Sequence, residues 1–242
     1  MKNISIVIPV YNEEGIINRV ITTLCDFCKK NLRNYNWKII IVDNNSTDRT
    51  MEIAKNLVKE FNGEIFYKFI PQKGKGLAIR ESWKSFDADI YVFMDADLAT
   101  DLSALPTLIR ELENDNNLVI GSRFIKGSFV KRSLSREIVS RIFSIITRLM
   151  FGLKIKDYTC GFKGVDKNVI NKILSQVKNN TFFFDTELVI RSAIDGLKIK
   201  EIPIIWEDRD KNKSRVNVLK VTKEYLCALS KLKKDIKAKN IL

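Results

Sequence analysis

The sequence predicts an α/β fold, a mainly parallel sheet flanked by helices on both faces, and three observations predict it. Short apolar runs alternate with segments of helical period through the first half of the chain. The runs are apolar at successive positions instead of every second one, as expected of strands buried on both faces. Polar clusters fall where those runs end: "YNEE", "DNNSTD", "PQKGKG" and "DADLAT" follow the first four. In open parallel sheets ligands bind in the crevice beyond the carboxyl ends of the strands, so chemistry is expected at these clusters.

Taken in order, "ISIVIPV" is the first strand and 13–30 the first helix, with Asn12 placed to cap it ahead of Glu13 and Glu14. "KIIIVD" is the second strand, and Ser46 or Thr47 is placed to cap a helix over 48–61. "EIFYKFI", a helix over 75–86 and "IYVFMD" continue the rhythm. From 118 onward "LVIGSR" predicts a strand, 126–135 a basic loop, 136–151 a helix, "CGFKGV" a short strand and 166–177 a helix. "FDTELVIRSAIDG" is a helix stopped by Gly196, "IKEIPIIW" a strand, and 216–239 a helix with a strongly basic face. The expected organisation is a catalytic domain over 1–215 followed by a basic amphipathic helix over 216–242.

Composition narrows the chemistry. Among 242 residues, 42 Lys and Arg against 29 Asp and Glu leave a net charge of +13, which favours anionic partners. Histidine is absent, so a general base must be Asp, Glu, Lys, Tyr or Cys, and a His-ligated metal is excluded. Cys25 and Cys28 stand three apart in a helix, Cys160 and Cys227 elsewhere, and all four are expected as small hydrophobes. The start, "MKNISIVIPVYNEE", lacks the form of a signal peptide, and "IFSIITRLMF" is too short to span a bilayer and carries Arg148. Cytoplasmic synthesis is therefore expected.

Asp95 and Asp97 stand one residue apart at the end of an apolar strand. Two such carboxylates can share a hard divalent ion, Mg²⁺ or Mn²⁺, completed by water and the oxygens of a nucleotide diphosphate. Solvated turn acids are the plain alternative. An aspartyl phosphohydrolase also carries D-x-D, but on its first strand and followed by Thr or Val, where this chain has a fourth strand and Ala99. Asp43 ends a neighbouring strand and is placed to meet a base or ribose, while "KGKG" offers flexible backbone and cations, Lys75 among them, to phosphates.

These residues resemble glycosyltransferase family 2, whose nucleotide-binding fold is GT-A: "IVIPVYNEE", "IIIVDNNSTDRT", "KGKGLAIRESW", "MDADLAT" and "GSRF" match its motifs in order. "REIVSR", "DYTCGFKGV", "FFFDTEL" and "IIWEDRDKNKSR" are similar to the polyprenyl-phosphate branch, most like its dolichyl-phosphate β-glucosyl members and related to the mannosyl ones. The resemblance implies transfer of a sugar from a UDP-sugar, glucose first and N-acetylglucosamine next, to dolichyl or polyprenyl phosphate with inversion. It implies Pro9, Tyr11, Glu13 and Asp43 at the nucleoside, Asp95 at ribose and metal, and Asp97 at metal and diphosphate. Mannosyl relatives carry a Gln where this chain has Ala99. Arg123, Arg136 and Ser140 align with residues holding the acceptor phosphate, and Arg209 and Ser214 with the diphosphate segment.

A phosphate acceptor is already largely dianionic at neutral pH and needs no general base. A saccharide hydroxyl does, and Asp185 or Glu187 could serve it; that is the alternative acceptor class. A lipid acceptor requires docking at an anionic membrane surface from the cytoplasmic side. Leu134, Ile138, Ile142, Ile145, Ile146 and Leu149 fall near one helix face, and ten Lys or Arg between 211 and 239 surround Leu219, Leu226, Leu229 and Leu232. A nucleic-acid partner is not expected, since the phosphate-facing cluster is acidic and no exposed aromatic stacking motif is present.

Overall fold

A computed structural model describes residues 1–208 and 218–238, without the side chains of 135, 136 and 218–221. The first half reads β1 (Asn3–Val10), α1 (Ile17–Asn31), β2 (Asn36–Asp43), α2 (Thr50–Glu60), β3 (Ile65–Phe69), α3 (Lys75–Ser85), β4 (Ile90–Met94) and α4 (Ala104–Glu113). The second half reads β5 (Leu118–Ser122), β6 (Phe129–Lys131), α5 (Leu134–Phe151), β7 (Phe162–Asp166), α6 (Lys167–Lys172), α7 (Phe184–Ile194), β8 (Ile199–Pro203), β9 (Ile205–Glu207) and α8 (Val218–Ala238). Seven strands form one sheet in the order β3-β2-β1-β4-β7-β5-β8, parallel except for β7.

The unbroken apolar character of the strands follows from two cores, one on each face of the sheet. Ile4, Ile6, Ile8, Ile90, Val92 and Met94 pack against α1, α2 and α4. Alternate residues, Val7, Tyr91 and Phe93, face Trp83 of α3 and the helices of the second half. Burial on both sides keeps these strands almost wholly apolar, buried Ser5 of β1 being an exception.

Four expectations are corrected. "CGFKGV" forms the predicted strand; β7 runs antiparallel to both neighbours because the chain leaves β5 and enters β7 at the same edge of the sheet, where Phe162 pairs with Met94. Gly164 of β7 admits α4: a Cβ there would meet Leu108 at 2.3 Å. The segment 126–135 is not only a loop, and "IKEIPIIW" is not one strand: it divides at Ile204 into β8 in the main sheet and β9, which pairs in parallel with β6. Asn12 and Ser46 or Thr47 do not cap helices, since α1 and α2 start later, at Ile17 and Thr50. They join two loops to each other instead, as described below.

The fourth concerns α8. Its apolar face is already covered: Tyr225, Leu229, Leu232 and Ile236 are buried in the second core, and Tyr225 stacks on Phe143 of α5 with centroids 4.4 Å apart. Lys223, Lys231, Lys234 and Lys237 remain exposed. The helix therefore packs its buried face on the α/β body and turns these lysines outward.

Candidate active site

Pairing of β1 with β4 stops at Val7↔Phe93, whereas β1 continues beside β2 to Val10↔Asp43. The strands part where β1, β2 and β3 wind one way and β4 lies on the other flank of β1. Such a switch point opens a crevice. Pro9 stands on β1 just past the last β4 pair, where its missing N–H leaves no donor toward the opening. Tyr11 follows with its ring 40% exposed and Lys73 Nζ 4.3 Å from the ring centroid, a flat surface on which a base can stack.

The loops after β1 and β2 are cross-bonded. Asn12 N donates to Ser46 Oγ at 3.0 Å, Thr47 N to Asn12 Oδ1 at 2.8 Å, and Glu13 N to Thr50 Oγ1 at 2.8 Å. Asn12 and Asn45 take positive φ, 55° and 64°, conformations Asn tolerates better than most residues. Asp43 is fully buried and accepts from Ser46 N at 2.8 Å and Tyr67 Oη at 3.0 Å. It thus ties the loop after β2 to β3 beneath the crevice. Asn44, which the sequence did not single out, holds the "KGKG" turn through a reciprocal pair with Gly74, 2.7 Å and 2.6 Å.

At the end of β4 the acid pair meets a lysine. Lys75 Nζ lies 2.8 Å from Asp95 Oδ1 and 3.0 Å from Asp185 Oδ2. Burial works against the Lys75 ammonium, but Asp185 and then Asp95 outweigh it and hold its pKa above the ordinary lysine range. Lys75 is therefore a counter-ion to the acids. Asp97 accepts from Ala99 N at 3.0 Å, and burial, then the neighbouring Asp95, push its pKa up. A carboxylate destabilised in this way is one that a divalent cation would relieve, and an all-oxygen donor pair suits Mg²⁺ or Mn²⁺. Asp95 Oδ2 rests against Gly161, where a Cβ would lie only 1.9 Å away. Behind it Lys163 is fully buried, bonded to Cys160 O, with its pKa lowered by burial.

On the other side of the acid pair lies a group of arginines. Arg123 is buried in a two-pronged pair with Asp157, Nε–Oδ2 2.7 Å and Nη2–Oδ1 2.8 Å, and also donates to Thr159. Nε and Nη2 face Asp157, so Arg123 clamps the "DYTCG" segment through that edge. Arg132, unmarked in the sequence because it sits in a run that looks solvated, is buried between the rings of Phe124 and Trp206. Its Nη1 donates to Ser140 Oγ at 3.3 Å, which brings Ser140 to this cluster. Arg141 pairs with Glu137 at 2.7 Å. Trp206 also lines a small cleft with Asp95, Leu98, Ala99 and Thr100, so one ring touches both the arginines and the cleft of Asp95. The side chain of Arg136, and Arg209 and Ser214, lie outside the described residues.

Glu187 is placed apart from this crevice. Its carboxylate accepts from Lys178 N at 3.1 Å, Asn179 N at 2.8 Å and Arg191 Nε at 2.7 Å, and Arg191 continues to Asp235 of α8 at 2.7 Å. A carboxylate with three donors is a structural knot, not a poised base. Asp185, two residues earlier, faces the acid pair through Lys75 and has Oδ1 buried without a partner among the described residues. Glu187→Gln is accordingly expected to lower stability by about 1–3 kcal/mol through a weakened knot. The pH dependence of turnover should stay unchanged; a shifted or lost basic limb in the pH–rate profile would return Glu187 to the chemistry.

Outside the crevice, α5 exposes Leu134, Ile138, Ile142, Ile145 and Leu149 along one face, while Ile146 packs toward the second core. Phe129 of β6 and Ile205 of β9 are exposed as well. Five large aliphatic side chains on one outward helix face are unusual for a surface left in water.

A switch-point crevice with an acid pair at the strand end accords with the GT-A fold, which the solved neighbours share. The chain belongs to glycosyltransferase family 2, whose family model ("Glycosyl transferase family 2") matches residues 5–174. It is similar to a dolichyl-phosphate beta-glucosyltransferase of Saccharomyces cerevisiae, 33% identical over 230 residues that cover 87% of this chain and 68% of the relative. It is also similar to glycosyltransferase AglD of Haloferax volcanii, 27% identical over 87% of this chain, of which it spans only 34%. Among solved structures, glucosyl-3-phosphoglycerate synthase from Mycobacterium tuberculosis, with Mn²⁺, uridine diphosphate and phosphoglyceric acid bound, superposes with TM-score 0.71 at 20% identity, covering 96% of this chain and 78% of that one. That likeness concerns the fold.

Proposed function

We propose that this chain transfers a hexose from a UDP-sugar, glucose first, to dolichyl or polyprenyl phosphate, inverting α to β. The observation that carries the reading is the adjacency of the acid pair and the arginine cluster across Trp206. One side suits a metal-bound diphosphate and the other an anionic acceptor. Tyr11, with Pro9 and the Asp43-shaped loop, would receive the base and ribose; Asp95 and Asp97 would hold Mg²⁺ or Mn²⁺. When bound, that ion would neutralise charge on the leaving diphosphate.

The acceptor phosphate attacks the anomeric carbon from the face opposite the diphosphate, forming the new C–O bond as the bond to the diphosphate breaks. Two anions must approach each other, so the cationic lining is a requirement of the step. No proton has to be removed from a dianionic phosphate, which agrees with the engagement of Glu187 elsewhere. The relative named a dolichyl-phosphate beta-glucosyltransferase supports the same acceptor. A saccharide hydroxyl acceptor is the second reading, favoured by Oδ1 of Asp185, buried and unpartnered among the described residues, which would then be the base.

The test is transfer of radiolabel from UDP-glucose, UDP-N-acetylglucosamine and GDP-mannose, each alone, to dolichyl phosphate with Mg²⁺ or Mn²⁺. Label in the lipid phase from one UDP-sugar supports the proposal; turnover with a saccharide but never with lipid phosphate sinks it.

No described helix is long and apolar enough to cross a membrane, and the exposed face of α5 supports peripheral docking, with the lysines of α8 toward anionic headgroups. Ile138→Asp with Ile145→Asp is expected to cut binding to vesicles of phosphatidylserine and phosphatidylcholine by roughly tenfold or more. Turnover of a water-soluble isoprenoid phosphate should be spared. Equal vesicle sedimentation of variant and native chain would remove α5 as the docking face.

A further inference from the structure

We infer that Arg132 is an anion-binding residue of the acceptor side: its Nε and Nη2 edge, held between Phe124 and Trp206, receives the phosphate that attacks the sugar. The inference takes the identity of the anion from the lipid-phosphate reading above; the existence of the site stands on charge and geometry.

Three guanidinium groups crowd the ring of Phe124, those of Arg123, Arg132 and Arg141, at 5.4, 5.7 and 4.7 Å from its centroid. Two of them have a carboxylate each. Arg123 is neutralised by Asp157 at 2.7 Å and Arg141 by Glu137 at 2.7 Å. Arg132 is left over. Its side chain is 3% exposed, Glu137 approaches its Nε no closer than 3.9 Å, and among the described residues its one hydrogen bond is from Nη1 to Ser140, the buried Nε and Nη2 having none.

A guanidinium cannot escape this by losing its proton in the working pH range. Burial, and then Arg123, pull its pKa down only to about 10. A buried cation with two donor groups unfilled among the described residues is costly, and an anion would relieve it. The vacant pair of N–H groups on one guanidinium edge has the spacing that matches two oxygens of a phosphate. Contact with two rings, each with its centroid 5.7 Å from Cζ, restrains the guanidinium before any ligand arrives. Trp206, one of those rings, also lines the cleft beside Asp95 and Ala99, which places the vacancy next to the donor half of the site. The phosphate would then be received by Arg132, with Ser140 as its hydroxyl neighbour. Arg123 would only brace the loop that faces them.

The test is direct binding of citronellyl phosphate, a short soluble isoprenoid phosphate, and of inorganic phosphate. Both are measured by calorimetry with UDP and Mn²⁺ present, on native chain, Arg132→Gln and Arg132→Lys. Loss of a charge-assisted pair should weaken citronellyl phosphate roughly 10- to 100-fold in Arg132→Gln. KM for dolichyl phosphate should rise in parallel, with KM for the UDP-sugar unchanged. Arg132→Lys keeps charge and stem, guards against a failure to fold, and should recover part of the affinity. Binding of inorganic phosphate that is also lost in Arg132→Gln would support a headgroup site. A native chain that binds citronellyl phosphate through Arg132 but transfers no label to lipid would uphold the site and overturn the lipid-acceptor reading. If both variants bind citronellyl phosphate within twofold of native and show only a lower melting temperature, Arg132 is a brace between β6 and β9 and the inference fails.

Discussion

Asp97→Ala is expected to lower turnover roughly 10²- to 10³-fold, the loss typical when charge stabilisation of a leaving group is removed. The residue lies at the mouth of the switch-point crevice. Its carboxylate is held by Ala99 N, and its raised pKa reflects burial and a like charge at Asp95. Removing it relieves that repulsion, so folding stability should be preserved or slightly improved while the capacity for a divalent ion falls. Mn²⁺ titration followed by electron paramagnetic resonance, with UDP present, checks the second half independently of turnover. A variant that keeps native Mn²⁺ affinity and turnover within threefold would show that the acid pair is a solvated turn.

The second large effect is structural. Asp157→Ala leaves Arg123 charged and buried without its partner, a change expected to cost about 3–5 kcal/mol. For a chain of this length that is a fall in melting temperature of about 10 °C, at roughly 2–4 °C per kcal/mol. The pair also sets a pH dependence. Burial opposes ionisation of Asp157, but Arg123 outweighs it and holds the carboxyl below its ordinary value. A depressed folded-state pKa stabilises above the unfolded value, about 3.9, and that stability is lost as pH falls through the folded value. Urea midpoints should therefore be flat for this contribution from neutral pH down to about 4 and decline only in stronger acid, a decline absent from Asp157→Ala. Equal stability of variant and native chain at pH 7 would contradict the clamp.

The β-α rhythm, the two-sided burial of the strands and the placing of polar clusters at one sheet edge were legible because each is written in local periodicity. Asp95 and Asp97 stand out for the same reason, as acids abutting an apolar run. What the pattern could not carry is pairing between distant segments. Arg123 meets Asp157 34 residues away, and Glu187 is taken by backbone N–H groups from the preceding loop and by Arg191. In both cases a charged side chain suited to a ligand is consumed by a partner that no spacing announces. Arg132 fails in the opposite sense: among Lys126, Lys131 and Ser133 it resembles a solvated loop residue, yet it is buried because two aromatic rings close over it. The direction of β7 was illegible too, since a short strand reads alike either way and only the path of the chain from β5 to β7 decides it.

The division of one apolar run at Ile204 reaches further than topology. β9 is three residues long, pairs along one edge with β6, and along the other exchanges bonds with the segment just after the acid pair: Glu207 N to Ala99 O at 2.8 Å and Asp101 N to Ile205 O at 2.9 Å. The segment after the acid pair and the strand before Arg132 thus hang on opposite edges of a single ribbon. Loop grafting to exchange sugar or acceptor preference in such a chain must carry residues 99–101, 129–131 and 205–207 as one unit. A length change anywhere between Pro203 and Glu207 would slip both registers together and displace the two segments at once.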